Sequence, residues 1–444
     1  MNKNIKKPVT TFPRILFITP CAFNKISGGG ITFSNLFKSW PKECIATVHN
    51  DVNPTDDLTC NKYFFLGKNE IFFLGPFKNK SLLPVRSVVA NNIDYDNISI
   101  LNKTIRLTKH FLFGNIFPNA GQLTAALESF IEEFQPDIIY TILGSSGIMD
   151  IVEQVSDRYK LPVVVHIMDD WISSNYSKGV LSFFERSRVK KRFNRILEHA
   201  AETIVISDAM KKVYKQRYRR PFSVFQNTID VDKWMHIQRT PSASAKKIFS
   251  IVYTGSIFPY AQLDALILTC YAVIDLVNSG VQLEFSIYAP EHMSVSLRNM
   301  FESEPYIRFF PPLIDDVEYF RTLADADILL LPSNFDKMSL KYIGFSMPTK
   351  VPSYLVSGTP ILVIGRQEAA QIQYAKQKKW GLVVTEDNKK KIGENIRILL
   401  SNNQLRSDLI VSAKQVALQY HDEKVIRLEF QDMFSVVRKR FLHN

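Results

Sequence analysis

Short apolar runs recur along the chain with amphipathic stretches between them, the pattern of buried strands alternating with helices. RILFITP (14–20) opens the series. GQLTAALESFIEEFQ (121–135) then places Leu123, Ala126, Leu127, Phe130, Ile131 and Phe134 on one helical face, and PDIIYTIL after it reads as a strand buried on both sides. LPVVVHIM (161–168), ETIVIS (202–207) and FSVFQN (222–227) continue the alternation. QRTPSASAKK (238–247) is polar and has no apolar period, so it reads as a linker. Beyond it the pattern restarts with IFSIVYTG, a helix over roughly 262–278, VQLEFSIYAP, a helix near 294–303, and the strands ADILLLP (326–332), PILVIG (360–365) and GLVVTE (381–386).

This pattern predicts an α/β protein of two doubly wound, Rossmann-like domains facing across a cleft, with ligands at the carboxyl ends of the strands. The first domain is expected over 1–238, a linker over 239–247, the second domain over 248–424, and a closing helix over 425–444 that crosses back to the first. Residues 60–118, rich in Phe and Lys, read as an insertion into the first domain or as a packed hairpin. The length of 444 residues suits two domains of roughly 200 each.

Composition narrows the class. Hydrophobic residues make up 46% and charged residues 22%, so disorder and fibrous repeats are excluded. No apolar run reaches the roughly 18 residues that span a bilayer, and the start lacks a signal-peptide pattern, so a cytoplasmic protein is expected. Cys21, Cys44, Cys60 and Cys270 are scattered without a C-x-x-C, which fits reduced thiols and no metal site. The net charge of +12 is partly concentrated in RSRVKKRFNR (186–195) and KKVYKQRYRR (211–220). Such clusters suit an anionic membrane surface at the inner face of the cell membrane, or are the solvated faces of two helices. Nucleic acid ranks lower as a partner, because no nucleic-acid-binding signature accompanies the charge.

Two stretches suggest chemistry. Gly28, Gly29 and Gly30 follow the first strand and precede a helix, where glycines let backbone amides approach a ligand or simply loosen a turn. PTKVPSYLVSG (348–358) has Pro348 at an expected helix start and Gly358 at its stop, and carries the single cation Lys350. A cation is unfavourable beside the positive end of a helix, so an anionic ligand such as a phosphate or diphosphate accounts for Lys350 better than a surface role does.

In order, GGG, VVVHIMDDW, TIVISDAM, VFQNTIDVDKW, IVYTGS, ADILLLPS and PTKVPSYLVSGTPILV resemble the GT-B glycosyltransferases, in particular glycosyltransferase family 4 and its bacterial surface-polysaccharide branches, over about residues 14–365. The resemblance implies transfer of a sugar from a nucleotide-sugar, bound mainly by the second domain, to a saccharide or lipid-linked acceptor held by the first. It implies retention, with neither a metal nor a cofactor required. It also implies a strand-end histidine near the transferred sugar at His166, with Asp169 or Asp170 orienting hydroxyls, as the catalytic set. Gly255, Ser256, Asp336, Lys341, Thr349, Lys350, Ser353 and Tyr354, with the three early glycines, are the implied donor contacts. The chain departs from the family pattern: Phe345 and Ser353 stand at the two common glutamate positions, and Ser256 and Ala261 at the phosphate cations, so Asp336 and Lys341 or Lys337 are the expected substitutes. A non-catalytic GT-B binding protein and a sugar-nucleotide epimerase are the alternative readings.

Overall fold

The computed structural model describes residues 12–55, 58–73, 118–174, 180, 182–237 and 248–442. The chain forms two compact units: one of residues 1–206, 211–225 and 427–444, the other of residues 207–210 and 226–426. The strands are β1 Ile15–Thr19, β2 Ile45–His49, β3 Tyr63–Phe65, β4 Ile71–Phe73, β5 Asn119–Gly121, β6 Ile138–Thr141, β7 Val163–Ile167, β8 Glu202–Val205 and β9 Ser223–Val224 in the first unit. The second holds β10 Phe249–Thr254, β11 Leu283–Tyr288, β12 Ile307–Phe310, β13 Ile328–Pro332, β14 Ile361–Ile364 and β15 Leu382–Val384.

The first unit is built on a parallel sheet in the order β3-β2-β1-β6-β7-β8-β9, with β4 and β5 forming a separate antiparallel pair. Strand β3 pairs in parallel with β2 and is the sheet edge, so the front of the expected 60–118 insertion belongs to the sheet itself. Residues 74–117 of that segment, and the expected linker over 239–247, lie outside the described residues. The core is aromatic. Phe17 of β1 meets Phe23, Phe37 and Tyr140 at 4.8 Å each, and Phe33 at 5.7 Å. The helix Glu423–Leu442 starts in the second unit and continues into the first, where Phe430 and Phe434 stack edge-on against Phe37 at 5.0 and 5.7 Å.

The second unit has the parallel order β12-β11-β10-β13-β14-β15. Its strands alternate between two cores, as the period of two demands when both faces are covered. Ile251, Tyr253, Ile328, Leu330, Leu362 and Ile364 pack on one face, and Val252, Leu329, Leu331, Ile361 and Val363 on the other. Sheet order reverses direction between β1 and β6 in the first unit and between β10 and β13 in the second, and the carboxyl ends of strands at such points are where open α/β sheets bind ligands.

One expected element starts elsewhere. The helix runs Val351–Val356, with Pro352 in its first turn and Lys350 at the preceding position. Pro348 lies in the loop before it. That loop is held by long-range bonds: Ser207 Oγ donates to the Phe345 carbonyl at 2.7 Å, and Asn227 Nδ2 donates to the Thr349 carbonyl at 2.7 Å.

Candidate anion-binding site

At the carboxyl end of β10 the chain turns through Gly255, whose φ of +124° is open only to glycine at low cost. Its amide donates to the Tyr288 carbonyl at the end of β11, 2.8 Å away. The following loop is fastened to the end of β13 by Asn334, whose backbone N donates to the Ala261 carbonyl at 2.7 Å and whose Nδ2 donates to the Pro259 carbonyl at 2.8 Å. These bonds fix the turn at the point where the sheet order reverses.

Lys350 reaches this turn from the segment between β13 and β14. Its ammonium stands 4.1 Å over the Tyr253 ring, a cation–π contact. A Cβ at position 255 would lie 2.7 Å from Lys350 Nζ and push the flexible end of the lysine aside, while the backbone angle itself calls for glycine. Tyr253 Oη donates to the Ser256 carbonyl at 2.5 Å, locking the ring under the lysine. No carboxylate pairs with Lys350 among the described residues. Burial without a counter-charge pushes its pKa down from 10.5 to about 7.

Other expected donor residues support this lysine from behind. Ser353 Oγ donates to the Lys350 carbonyl at 2.8 Å and shares a 2.9 Å hydrogen bond with Tyr319 Oη. Tyr354, fully buried, accepts from the Thr254 amide at 3.1 Å and lies 3.3 Å from Thr254 Oγ1. Of the expected donor residues, Gly255 lies against the Lys350 ammonium, Ser256 is tied to the same turn through Tyr253, Thr349 precedes the lysine and is held by Asn227, and Ser353 and Tyr354 are buried behind it. Asp336 instead caps the helix Lys337–Ile343, accepting from the Ser339 amide at 2.8 Å. Partial burial alone would raise its pKa, yet the hydrogen bonds from Ser339 hold it below the usual carboxylate range. Lys341 lies exposed in the last turn of that helix. Tyr253 and Thr254 give no signal in the sequence, because a tyrosine or threonine in an apolar strand reads as ordinary core, and Tyr319, in the helix Asp316–Asp325, and Asn227, after β9, come from other parts of the chain.

The remaining expected site residues lie in the first unit. The helix Gly28–Phe37 begins at the glycines themselves, with Ser27 Oγ accepting from the Gly30 amide at 3.1 Å. Gly30 is required by packing, since a Cβ there would come within 2.5 Å of the Asn24 side chain. Asn24 Oδ1 accepts from the Ile26 and Ser27 amides at 2.9 and 2.7 Å, and its Nδ2 donates to Asp51 Oδ2 at 3.0 Å. The glycine segment is thus a braced helix start rather than a loose turn.

Of the expected catalytic set, only Asp169 is exposed. His166 is 0% exposed on β7, its Nδ1 2.6 Å from Tyr140 Oη, and burial pushes its pKa down to about 3, so the ring is neutral. Asp170 is buried, accepting from Tyr214 Oη at 2.6 Å and from both terminal nitrogens of Arg217 at 2.9 and 3.2 Å. Asp170 thus spends both carboxylate oxygens on Tyr214 and Arg217, whereas His166 meets Tyr140 through Nδ1 and its buried Nε2 has no hydrogen-bond partner among the described residues.

No protein-family model and no curated protein matches the sequence. Solved structures match it along nearly the whole chain. Sucrose-phosphate synthase from Thermosynechococcus elongatus is 12% identical, with a TM-score of 0.63 over 97% of this chain and 100% of that one. Anabaena HepE in complex with UDP-glucose is 12% identical, with a TM-score of 0.61 over 95% and 99%. WaaG, a glycosyltransferase involved in lipopolysaccharide biosynthesis, is 13% identical, with a TM-score of 0.58 over 95% and 99%. The fold is GT-B. At these identities the correspondence is one of fold, and it extends through both Rossmann-like units.

Proposed function

We propose that this protein is a glycosyltransferase that moves a sugar from a nucleotide-sugar to a saccharide or lipid-linked acceptor in cell-surface glycan synthesis, with retention and without a metal. The observation that carries this reading is Lys350: an ammonium with no carboxylate partner, held over Gly255 and Tyr253 where the sheet order of the second unit reverses. Such a group is stabilised by an anion that enters beside it. A nucleoside diphosphate supplies two charged phosphates of suitable size, and the HepE complex carries UDP-glucose on the same fold.

In this reading the bond between the anomeric carbon and the diphosphate oxygen breaks, and the electron pair stays on that oxygen. Lys350 stabilises the growing negative charge, acting in a partly desolvated site where a fixed cation counts for more than in water. The acceptor hydroxyl oxygen forms the new bond on the same face of the sugar, and its proton passes to the departing phosphate oxygen. No protein nucleophile is needed. Asp169, exposed at the end of β7, is the candidate for orienting a hydroxyl, while Asp170 and His166 hold that strand end in place.

The test offers radiolabelled nucleotide-sugars together with membrane lipid acceptors, alongside titrations of UDP, GDP and ADP into wild type and Lys350→Ala. Transfer from one donor, and a loss of diphosphate affinity in the variant, are expected. No transfer from any donor, combined with unchanged nucleotide affinity in the variant, would remove the assignment.

A further inference from the structure

The two basic clusters, 186–195 and 211–220, belong to the first unit and lie on or just after the helices Ser182–His199 and Asp208–Tyr218. These helices connect β7 to β8 and β8 to β9, consecutive parallel neighbours in the sheet, and right-handed crossovers place both on one sheet face. Ring contact between Phe193 and Tyr218 at 5.7 Å joins them directly. Inward, the first helix buries Val189, Phe193, Ile196 and Leu197. Some of the cations have structural partners: Arg188 pairs with Glu185 at 2.9 Å, Arg195 with Glu153 at 2.6 Å, Arg192 with Asp150, and Arg217 with Asp170 at 2.9 Å.

The others do not. Arg186, Lys190 and Lys191 on the first helix and Lys211, Lys212 and Lys215 on the second are exposed and form no ion pair among the described residues. The acids on the outer surface of these helices are Glu198 and Asp208, so the balance there is strongly positive. At the start of the first helix, Phe183 and Phe184 are 73% and 68% exposed, with rings 5.8 Å apart, and Val180 is 63% exposed. A solvated helix face has no use for two adjacent open phenylalanines. Cations alone suit any polyanion, but cations beside an apolar prong suit a surface that is charged outside and apolar a few ångströms deeper. No described helix is long and apolar enough to cross a membrane, so attachment through this face would be peripheral.

We infer that this face of the first unit docks on an anionic lipid bilayer, with Phe183 and Phe184 inserted at the headgroup level and the lysines of both helices over the lipid phosphates. The inference rests on the first unit alone and stands apart from the donor site. Its test is co-sedimentation of the full chain with vesicles of equal phosphatidylglycerol and phosphatidylcholine, against vesicles of phosphatidylcholine only. Binding to the anionic vesicles alone, weakening as salt rises, is expected. Each lost cation should weaken partition about 5-fold, so the triple variant Lys190→Gln/Lys191→Gln/Lys211→Gln should lose about 100-fold. Phe183→Ser/Phe184→Ser should lose at least about tenfold, most clearly at high salt where the charge contribution is screened. All five positions are exposed, so circular dichroism spectra and UDP titration should match wild type in both variants. Equal binding to neutral vesicles, no binding at low salt, variants that partition like wild type, or tighter binding to a nucleic acid duplex than to the anionic vesicles would each overturn the inference. Failure of UDP binding in wild type would count against the transferase reading and leave this one untouched.

Discussion

Replacing Lys350 with methionine separates what the residue does for binding from what it does for folding. Methionine keeps the length of the stem and its contact with the Tyr253 ring but removes the charge. In the free protein the lysine pKa is about 7 against an ordinary 10.5, so between those values the unfolded chain holds the extra proton and the folded chain does not. Stability from this group therefore rises with pH from about 7 to about 10.5, and below pH 7 the folded protein carries the full cost of an enclosed ammonium. The difference between 10.5 and about 7 is about 3.5 units, which sets that cost at about 5 kcal/mol at most and about 1–3 kcal/mol once the partly open end of the side chain is screened by water. Lys350→Met should accordingly unfold at higher urea at pH 6.5, by an amount in that range. The same variant should bind UDP about 10- to 150-fold more weakly, the worth of a charge-assisted hydrogen bond. Wild-type affinity should also be level below pH 7 and fall about tenfold per unit above it, since only the ammonium form holds the diphosphate. Urea unfolding followed by circular dichroism and calorimetric titration of UDP measure the two sides. A variant that is less stable than wild type, with nucleotide affinity unchanged, would refute the reasoning on both counts.

Gly255→Ala should weaken UDP binding, because the new methyl meets Lys350 Nζ at 2.7 Å and the backbone is held at a φ of +124°. A loss of stability of about 1–3 kcal/mol should accompany it, read by urea unfolding, and an alanine variant with wild-type affinity would show that the turn is not part of the site. Asp170→Asn should destabilise the first unit by about 3 kcal/mol in the same assay, since it leaves the Arg217 guanidinium facing an uncharged partner, and a change under about 0.5 kcal/mol would mean the acid is not structural. His166 and His421 are both buried and neutral, with pKa values pushed down to about 3 and about 4. Their contribution is complete above pH 6.5 and is lost as the pH falls toward those values, by about 1.4 kcal/mol per unit for each, so unfolding midpoints that stay level from pH 7 to pH 5 would contradict the assignment.

How much of this was readable beforehand follows from how local each signal is. The runs RILFIT, VVVHI and ILLLP show their burial in their own composition, and each is a strand of a parallel sheet. Strand β2 gives a weaker signal because IATVH carries a threonine and a histidine in a run of five, although all five are buried. Lys350 stood out because no other charge lies between Lys341 and Arg366. Its surroundings did not, because the groups that define them come from far along the chain: Tyr253 and Gly255 from the end of β10, Asn227 from 122 residues before the Thr349 carbonyl it holds. The same distance explains the misplaced helix start. Pro348 and Pro352 are equally good openings by local rules, and Ser207 and Asn227 tie down the carbonyls of Phe345 and Thr349 in the loop and turn that precede the helix. Asp170 and His166 show the converse. A strand-end histidine and an aspartate pair look alike in sequence, and only the distant partners Tyr140, Tyr214 and Arg217 show that both Asp170 oxygens are engaged while His166 is engaged through Nδ1 alone. Sequence therefore reveals a charged group that lacks a local reason to be there, whereas the presence or absence of a distant partner decides whether that group is free to meet a ligand.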